Sequence, residues 1–166
     1  MAKNLFLVRH AKSDWSIPGQ KDFDRELNVR GNNDAPRMGR KLHDLGLKPD
    51  LIISSPANRA KHTAELIAEQ LKYDTDSIIL DEEVYEASVR SLLAVINNLP
   101  NNCNEVIIVG HNPTFTYIAE YLTKKNLDNI PTCGVVHILF EIDSWNEVSE
   151  GNGHLQLFIF PKSDLV

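Results

Sequence analysis

The chain has 166 residues, 42% of them hydrophobic and 24% charged, with a formal net charge of −6. That length supports one domain with one substantial core, 1–166, in ordinary globular usage. The acidic balance excludes a general nucleic-acid surface, and no apolar run approaches the roughly 20 residues of a membrane span, so neither nucleic acid nor membrane is an expected partner.

Short apolar runs alternate with helical patterns along the chain. Leu5–Val8 reads as a buried strand that runs straight into Arg9 and His10. A long polar loop, Lys12 to Gly31, follows; loops of that length in compact domains are usually functional or mobile. Asn32 to Leu45 places Ala35, Met38, Leu42 and Leu45 on one helical face, and Gly46 is its stop signal. Asp50–Ser54 is a second strand. Asn58 to Leu71 is a helix with Ala60, Ala64, Ile67, Ala68 and Leu71 on one face, and Ser77–Leu80 is a short third strand. Val89 to Leu99 is helical through Leu92, Leu93, Ile96 and Leu99, and Pro100 ends it. Glu105–Val109 is another buried strand, Thr114 to Leu122 a helix, and Val135–Ile142 with Leu155–Phe160 an antiparallel pair at one edge. The alternation implies a three-layer α/β/α fold around a mostly parallel sheet.

The apolar part of MAKNLFLVRH is too short for a signal peptide, and Cys103 and Cys133 form neither a metal-ligand spacing nor a disulfide framework. Two reduced thiols in a cytoplasmic protein are expected. His43, His62, His137 and His154 lie on helices and strands and read as structural.

In open α/β sheets, ligands bind beyond the carboxyl ends of the strands. The first strand ends in Arg9 and His10, the second in SSPANR, which carries Arg59, and the fourth in GHNP, which carries His111. Arginine offers paired donors to phosphate or carboxylate oxygens. A histidine among arginines is kept neutral, as a base or a nucleophile. Phosphoryl transfer to an imidazole fits, with the arginines neutralising the equatorial oxygens. Arg59 sits on a helix first turn, where a cation opposes the helix dipole, so another partner such as phosphate is expected there.

At LVRHAKSDW, SSPANRAKHTA and VGHNP the chain resembles the histidine phosphatase (phosphoglycerate mutase-like) superfamily, and is most similar to its small SixA-like phosphohistidine phosphatase branch. DFDRELNVRG, PTCG and DSW extend the resemblance over nearly the whole chain. It implies a phosphate pocket of Arg9, His10, Arg59 and His111, with His10 the nucleophile, the other three binding and stabilising the phosphoryl group, and no metal or cofactor. Ser13 and Lys12 are expected at substrate oxygens. Arg25 and Arg30 either line the mouth or are solvated loop charges, and Asn112 bonds within its turn. Aligning Tyr85 with the family's aromatic position puts Glu82 in LDEEVYEAS at the place of the general acid. Glu86 is the second choice, and a solvated carboxylate face the third.

The chain leaves little room for a lid over a small sugar phosphate. An open site suits phosphohistidine on a partner protein. A small-molecule phosphomonoesterase, on a sugar or nucleotide phosphate, is the alternative. A non-enzymatic phosphate-binding module is the remaining one, against which the histidine beside Arg9 argues, because binding needs only arginines and backbone donors. A dinucleotide fold is excluded by the lack of GxGxxG after the first strand, and a P-loop by the lack of GxxxxGK[ST].

Overall fold

In the computed structural model, which describes residues 2–161, six strands form one sheet in the order β3-β2-β4-β1-β5-β6. They are β1 (Lys3–Arg9), β2 (Leu51–Ser54), β3 (Ile79–Leu80), β4 (Glu105–Gly110), β5 (Val135–Phe140) and β6 (Gly153–Ile159). The helices are α1 (Val29–Asp44), α2 (Asn58–Gln70), α3 (Val89–Asn97) and α4 (Thr114–Thr123). β1 to β4 run parallel, β5 runs antiparallel to β1, and β6 runs antiparallel to β5.

Alternation along the central strands builds two cores, because successive side chains leave opposite faces of a strand. Phe6, Val8, Ile52, Ile107 and Val109 pack with Ala35, Met38 and Leu42 of α1 and Ala60, Ala64 and Ile67 of α2. Leu5, Leu7, Ile53, Val106 and Ile108 pack with Leu92 and Ile96 of α3 and Phe115, Ile118 and Leu122 of α4. The central strands are buried on both faces and therefore read as continuous apolar runs.

Two local expectations are corrected. Leu45 is 58% exposed, because α1 ends at Asp44 in a Schellman turn: Gly46, at φ +90°, donates to His43 O at 2.9 Å and Leu47 to Leu42 O at 3.1 Å. Leu47 takes the buried place instead. The third strand is only Ile79–Leu80, since Asp74 accepts from Asp76 N and draws Thr75–Ser77 into a 3-10 turn.

The loop after β1 is folded rather than free. Ser13 and Leu27 form an isolated antiparallel bridge, and Asn28 donates to Lys12 O at 3.0 Å before its side chain caps α1 through Gly31 N. A side chain at Gly31 would place its Cβ 2.2 Å from Lys12 O, so glycine permits this closure. Among the described residues, no helix is long and apolar enough to cross a membrane.

Candidate active site

A cavity of about 400 Å³ opens at the carboxyl ends of β1, β2 and β4. Arg9, His10, Arg25, Arg59, Tyr85 and His111 are among the residues that line it. The backbone fixes its floor. His10 N donates to Gly110 O at 2.9 Å, Arg9 N to Gly134 O at 3.0 Å, and Cys133 N to both Arg9 O and His10 O at 3.0 Å. Ala11 N donates to Thr63 Oγ1, whose hydroxyl donates to Arg59 O at 2.6 Å, so the strand end and α2 are tied together.

The two histidines face each other, with ring centroids 5.2 Å apart. His10 is buried, and its Nδ1 lies 2.8 Å from Ala11 O. A carbonyl accepts only, so Nδ1 carries the proton and Nε2 keeps a lone pair. Burial holds His10 at a pKa of about 4, with the charges of Arg59, Arg9 and Arg25 acting the same way against the Ala11 hydrogen bond. His111 is lowered to about 3, by burial first and then by His10 and Arg59. Arg59 Nη2 approaches His111 Nδ1 at 3.4 Å, which leaves Nε2–H of His111 to donate to Ser55 Oγ at 2.8 Å.

The arginines carry spare donors. Arg9 gives Nη1–H to Ile130 O at 2.9 Å, while its buried Nε has no partner among the described residues. Arg59 is 5% exposed; it donates Nη1–H to Asp22 O at 2.7 Å and Nη2–H to Asp22 Oδ2 at 2.9 Å, and its buried Nε likewise has no partner. Both Nε atoms are shut off from solvent and so do not reach into the cavity; what Arg9 and Arg59 bring to its lining is two positive guanidinium groups, which favour an anionic occupant.

The long loop forms the opposite wall. Arg25 is buried, reaches Asp22 Oδ1 through Nε at 3.2 Å and Nη2 at 3.0 Å, and donates to Ser13 Oγ. Tyr85 donates its hydroxyl to Asp22 Oδ2 at 2.9 Å. Partial burial acts to raise the Asp22 carboxyl, but the hydrogen bonds from Tyr85, Arg25 and Arg59 outweigh it and bring it to about 2. Asp22 is therefore ionised at neutral pH and has no proton to give.

Arg9, His10, Arg59 and His111 are brought together at this cavity. Ser13 and Lys12 line it, although the Ser13 oxygen is engaged by Arg25. Arg25 is a wall residue, whereas Arg30 pairs with Asp34 at 3.4 Å and does not line the cavity. Asn112 also lines the cavity while bonding within its turn. Its amide donates to Asn129 Oδ1 at 2.8 Å and Ile130 O at 2.9 Å, and its oxygen accepts from Thr116 N and Oγ1.

Glu82 is not brought to the cavity. Asp81 caps a 3-10 turn over Glu82–Val84 that buries Val84 and leaves Glu82 exposed. Glu86, at φ +57°, returns the chain to the cavity lining. Asp22 is the residue that sequence reasoning missed; its place three residues before Arg25, in a turn-forming DFDR, is the signal that was available.

Comparisons with known proteins bear on the family and the fold. The model of the histidine phosphatase superfamily (branch 1) matches residues 5–92. The structure of a candidate phosphohistidine phosphatase SixA from Agrobacterium tumefaciens superposes with a TM-score of 0.81 at 29% identity, covering 96% of this chain and 98% of that one. A phosphoglycerate mutase from Plasmodium falciparum shares the fold, with a TM-score of 0.64 at 20% identity over 95% of this chain and 91% of that one. The mitochondrial serine/threonine-protein phosphatase Pgam5 of Drosophila willistoni is 37% identical over 73 residues, which are 44% of this chain and only 24% of that protein.

Proposed function

This chain belongs to the histidine phosphatase superfamily, and on that premise we propose that it is a metal-independent phosphatase that works through a phosphohistidine intermediate on His10, and that its substrate is phosphohistidine on a partner protein. The observation that carries the reading is the convergence of the Arg9 and Arg59 side chains and His111 on a buried, neutral His10 in one cavity. Guanidinium groups match phosphate oxygens with charge-assisted, paired donors.

In this reading, the Nε2 lone pair of His10 attacks phosphorus while the bond to the leaving nitrogen breaks. The leaving imidazole takes a proton, and water then attacks the phosphoryl group on His10, releasing inorganic phosphate and regenerating the imidazole. Arg9 and Arg59 offset the charge on the equatorial oxygens. A free imidazole has a pKa near 6.5, so solvent can supply the proton and no strongly placed acid is required. That fits a wall where Asp22 is ionised and Glu82 is absent from the lining. Glu86 on the cavity wall favours a second reading: an alkyl phosphomonoesterase, whose alkoxide leaving group needs a proton in the transition state. A cytoplasmic setting belongs to the same proposal and is supported by the two free thiols, Cys103 and Cys133.

The test is turnover of phosphohistidine, phosphoserine, phosphotyrosine and a sugar phosphate by the purified chain, with and without chelator. Phosphohistidine is expected to be the best substrate, undiminished by chelator, with an acid-labile, base-stable adduct trapped on His10 by rapid quench. Preference for an alkyl phosphate transfers the assignment to the second reading, and restoration by magnesium from near zero overturns metal independence.

A further inference from the structure

One wall of the cavity plays no part in the phosphoryl chemistry. Trp15, on the loop between β1 and α1, lines the cavity and is 75% exposed. An indole left in water gives up a large part of the burial that normally makes tryptophan stabilising. It is nevertheless held in place. Arg25 Cζ lies 3.5 Å from the centroid of its ring. Arg25 is buried and locked by the Asp22 carboxylate and by Ser13 Oγ, so it presents a fixed guanidinium plane to the indole. Asp22 in turn reaches Arg59 at 2.9 Å. Two side chains, Arg25 and Asp22, therefore link the indole to an arginine of the phosphate site.

The cavity is small, at about 400 Å³. A phosphoryl group held by Arg59 and His10 leaves its attached group against the remaining wall, of which Trp15 is the large open apolar surface. Tyr85 is already engaged, edge-on to His111 at 5.5 Å and to Phe23 at 5.3 Å. We propose that Trp15 determines specificity by stacking on a flat, unsaturated leaving group, such as the imidazole of phosphohistidine or a phenyl ring. The inference rests on the phosphatase reading of the same site and adds the shape of the group that leaves. Stacking on an aromatic face is tolerant of ring identity, because every flat ring offers a π face.

The experiment compares wild type, Trp15→Ala and Trp15→Phe in the full chain. It measures kcat/KM for phenyl phosphate, phosphohistidine and phosphoserine, and calorimetric affinity for phenylphosphonate and methylphosphonate. In Trp15→Ala, the ratio of phenyl phosphate to phosphoserine kcat/KM is expected to fall about five- to tenfold, mostly through KM. The phenylphosphonate to methylphosphonate affinity ratio falls with it, and Trp15→Phe restores most of both. A uniform loss on every substrate and both phosphonates means that Trp15 only holds Arg25, which overturns the proposal; so does an unchanged Trp15→Ala, or a wild type that binds neither phosphonate. The phosphonate arms need no turnover. A selective loss there in a chain that does not hydrolyse phosphohistidine removes the substrate reading and leaves the stacking assignment standing.

Discussion

The two walls of the cavity are built in different ways. The floor and one wall, formed by Arg9, His10 and His111, stand at the ends of β1 and β4, and the backbones of Arg9 and His10 are tied by hydrogen bonds to Gly110, Gly134 and Cys133. The other wall, formed by Trp15, Asp22 and Arg25, stands on a loop whose two ends are closed by a few backbone bonds and whose cavity face is held by side-chain bonds to Arg59, Ser13 and Tyr85. Backbone ladders deep in a sheet open only with the global structure, whereas loop side chains rearrange at much lower cost. The difference separates two tasks. Groups that must hold a reacting atom within fractions of an ångström belong on the sheet, and groups that choose among substrates belong on the loop.

The largest effect expected from breaking this division is on the sheet side. His10→Ala should lower turnover by at least about three orders of magnitude, because the covalent step is lost. Steady-state rates on the best substrate check it, and turnover within about tenfold of wild type would remove His10 as nucleophile.

Next comes Arg59→Lys, which keeps the charge and loses the forked donors. Turnover should drop roughly a hundredfold, comparable to removing one strong oxyanion donor. Unchanged turnover would take Arg59 out of contact with the transferring group.

The pH response tests the electrostatics of the same wall. His10 is held near 4 and His111 near 3, both below their ordinary value of 6.5. Below 6.5 the unfolded chain takes up protons that the folded chain refuses. The stability contributed by the neutral pair is thus present above about pH 6.5 and is lost progressively as pH falls toward 3. Thermal melts from pH 7 down to pH 4 should show a Tm that declines with falling pH, less steeply in a His10→Ala, His111→Ala double variant. The acid limb of kcat/KM should lie near pH 4 rather than near 6.5.

Smaller effects are expected on the loop side. Ser13→Ala removes one of the groups that hold Arg25 and should raise KM a few fold with little change in kcat, a pattern that initial rates over a range of substrate resolve. The smallest effect is at the carboxylates. Glu82→Gln should leave every substrate within about twofold, while Glu86→Gln should slow an alkyl phosphate more than phosphohistidine. Turnover of both substrates on both variants decides it. A large loss in Glu82→Gln would show that the 3-10 turn rearranges when substrate binds.

The sequence by itself determined the α/β alternation, the positions of the helices and strands to within a few residues, and the convergence of Arg9, His10, Arg59 and His111. Those features rest on local periodicity and on one topological rule, that parallel strands deliver their carboxyl ends to the same side. Tertiary structure alone decided the carboxylates. Whether Glu82 or Glu86 meets the cavity turns on a single left-handed residue after a 3-10 turn, at φ +57°, and no periodicity encodes that. It also decided that Asp22 binds Arg25 and Arg59 at once. That contact spans 37 residues to Arg59, on a loop that also packs against α1 at Gly31, so the charge that completes the pocket's wall is set by chain folding rather than by the residues beside it.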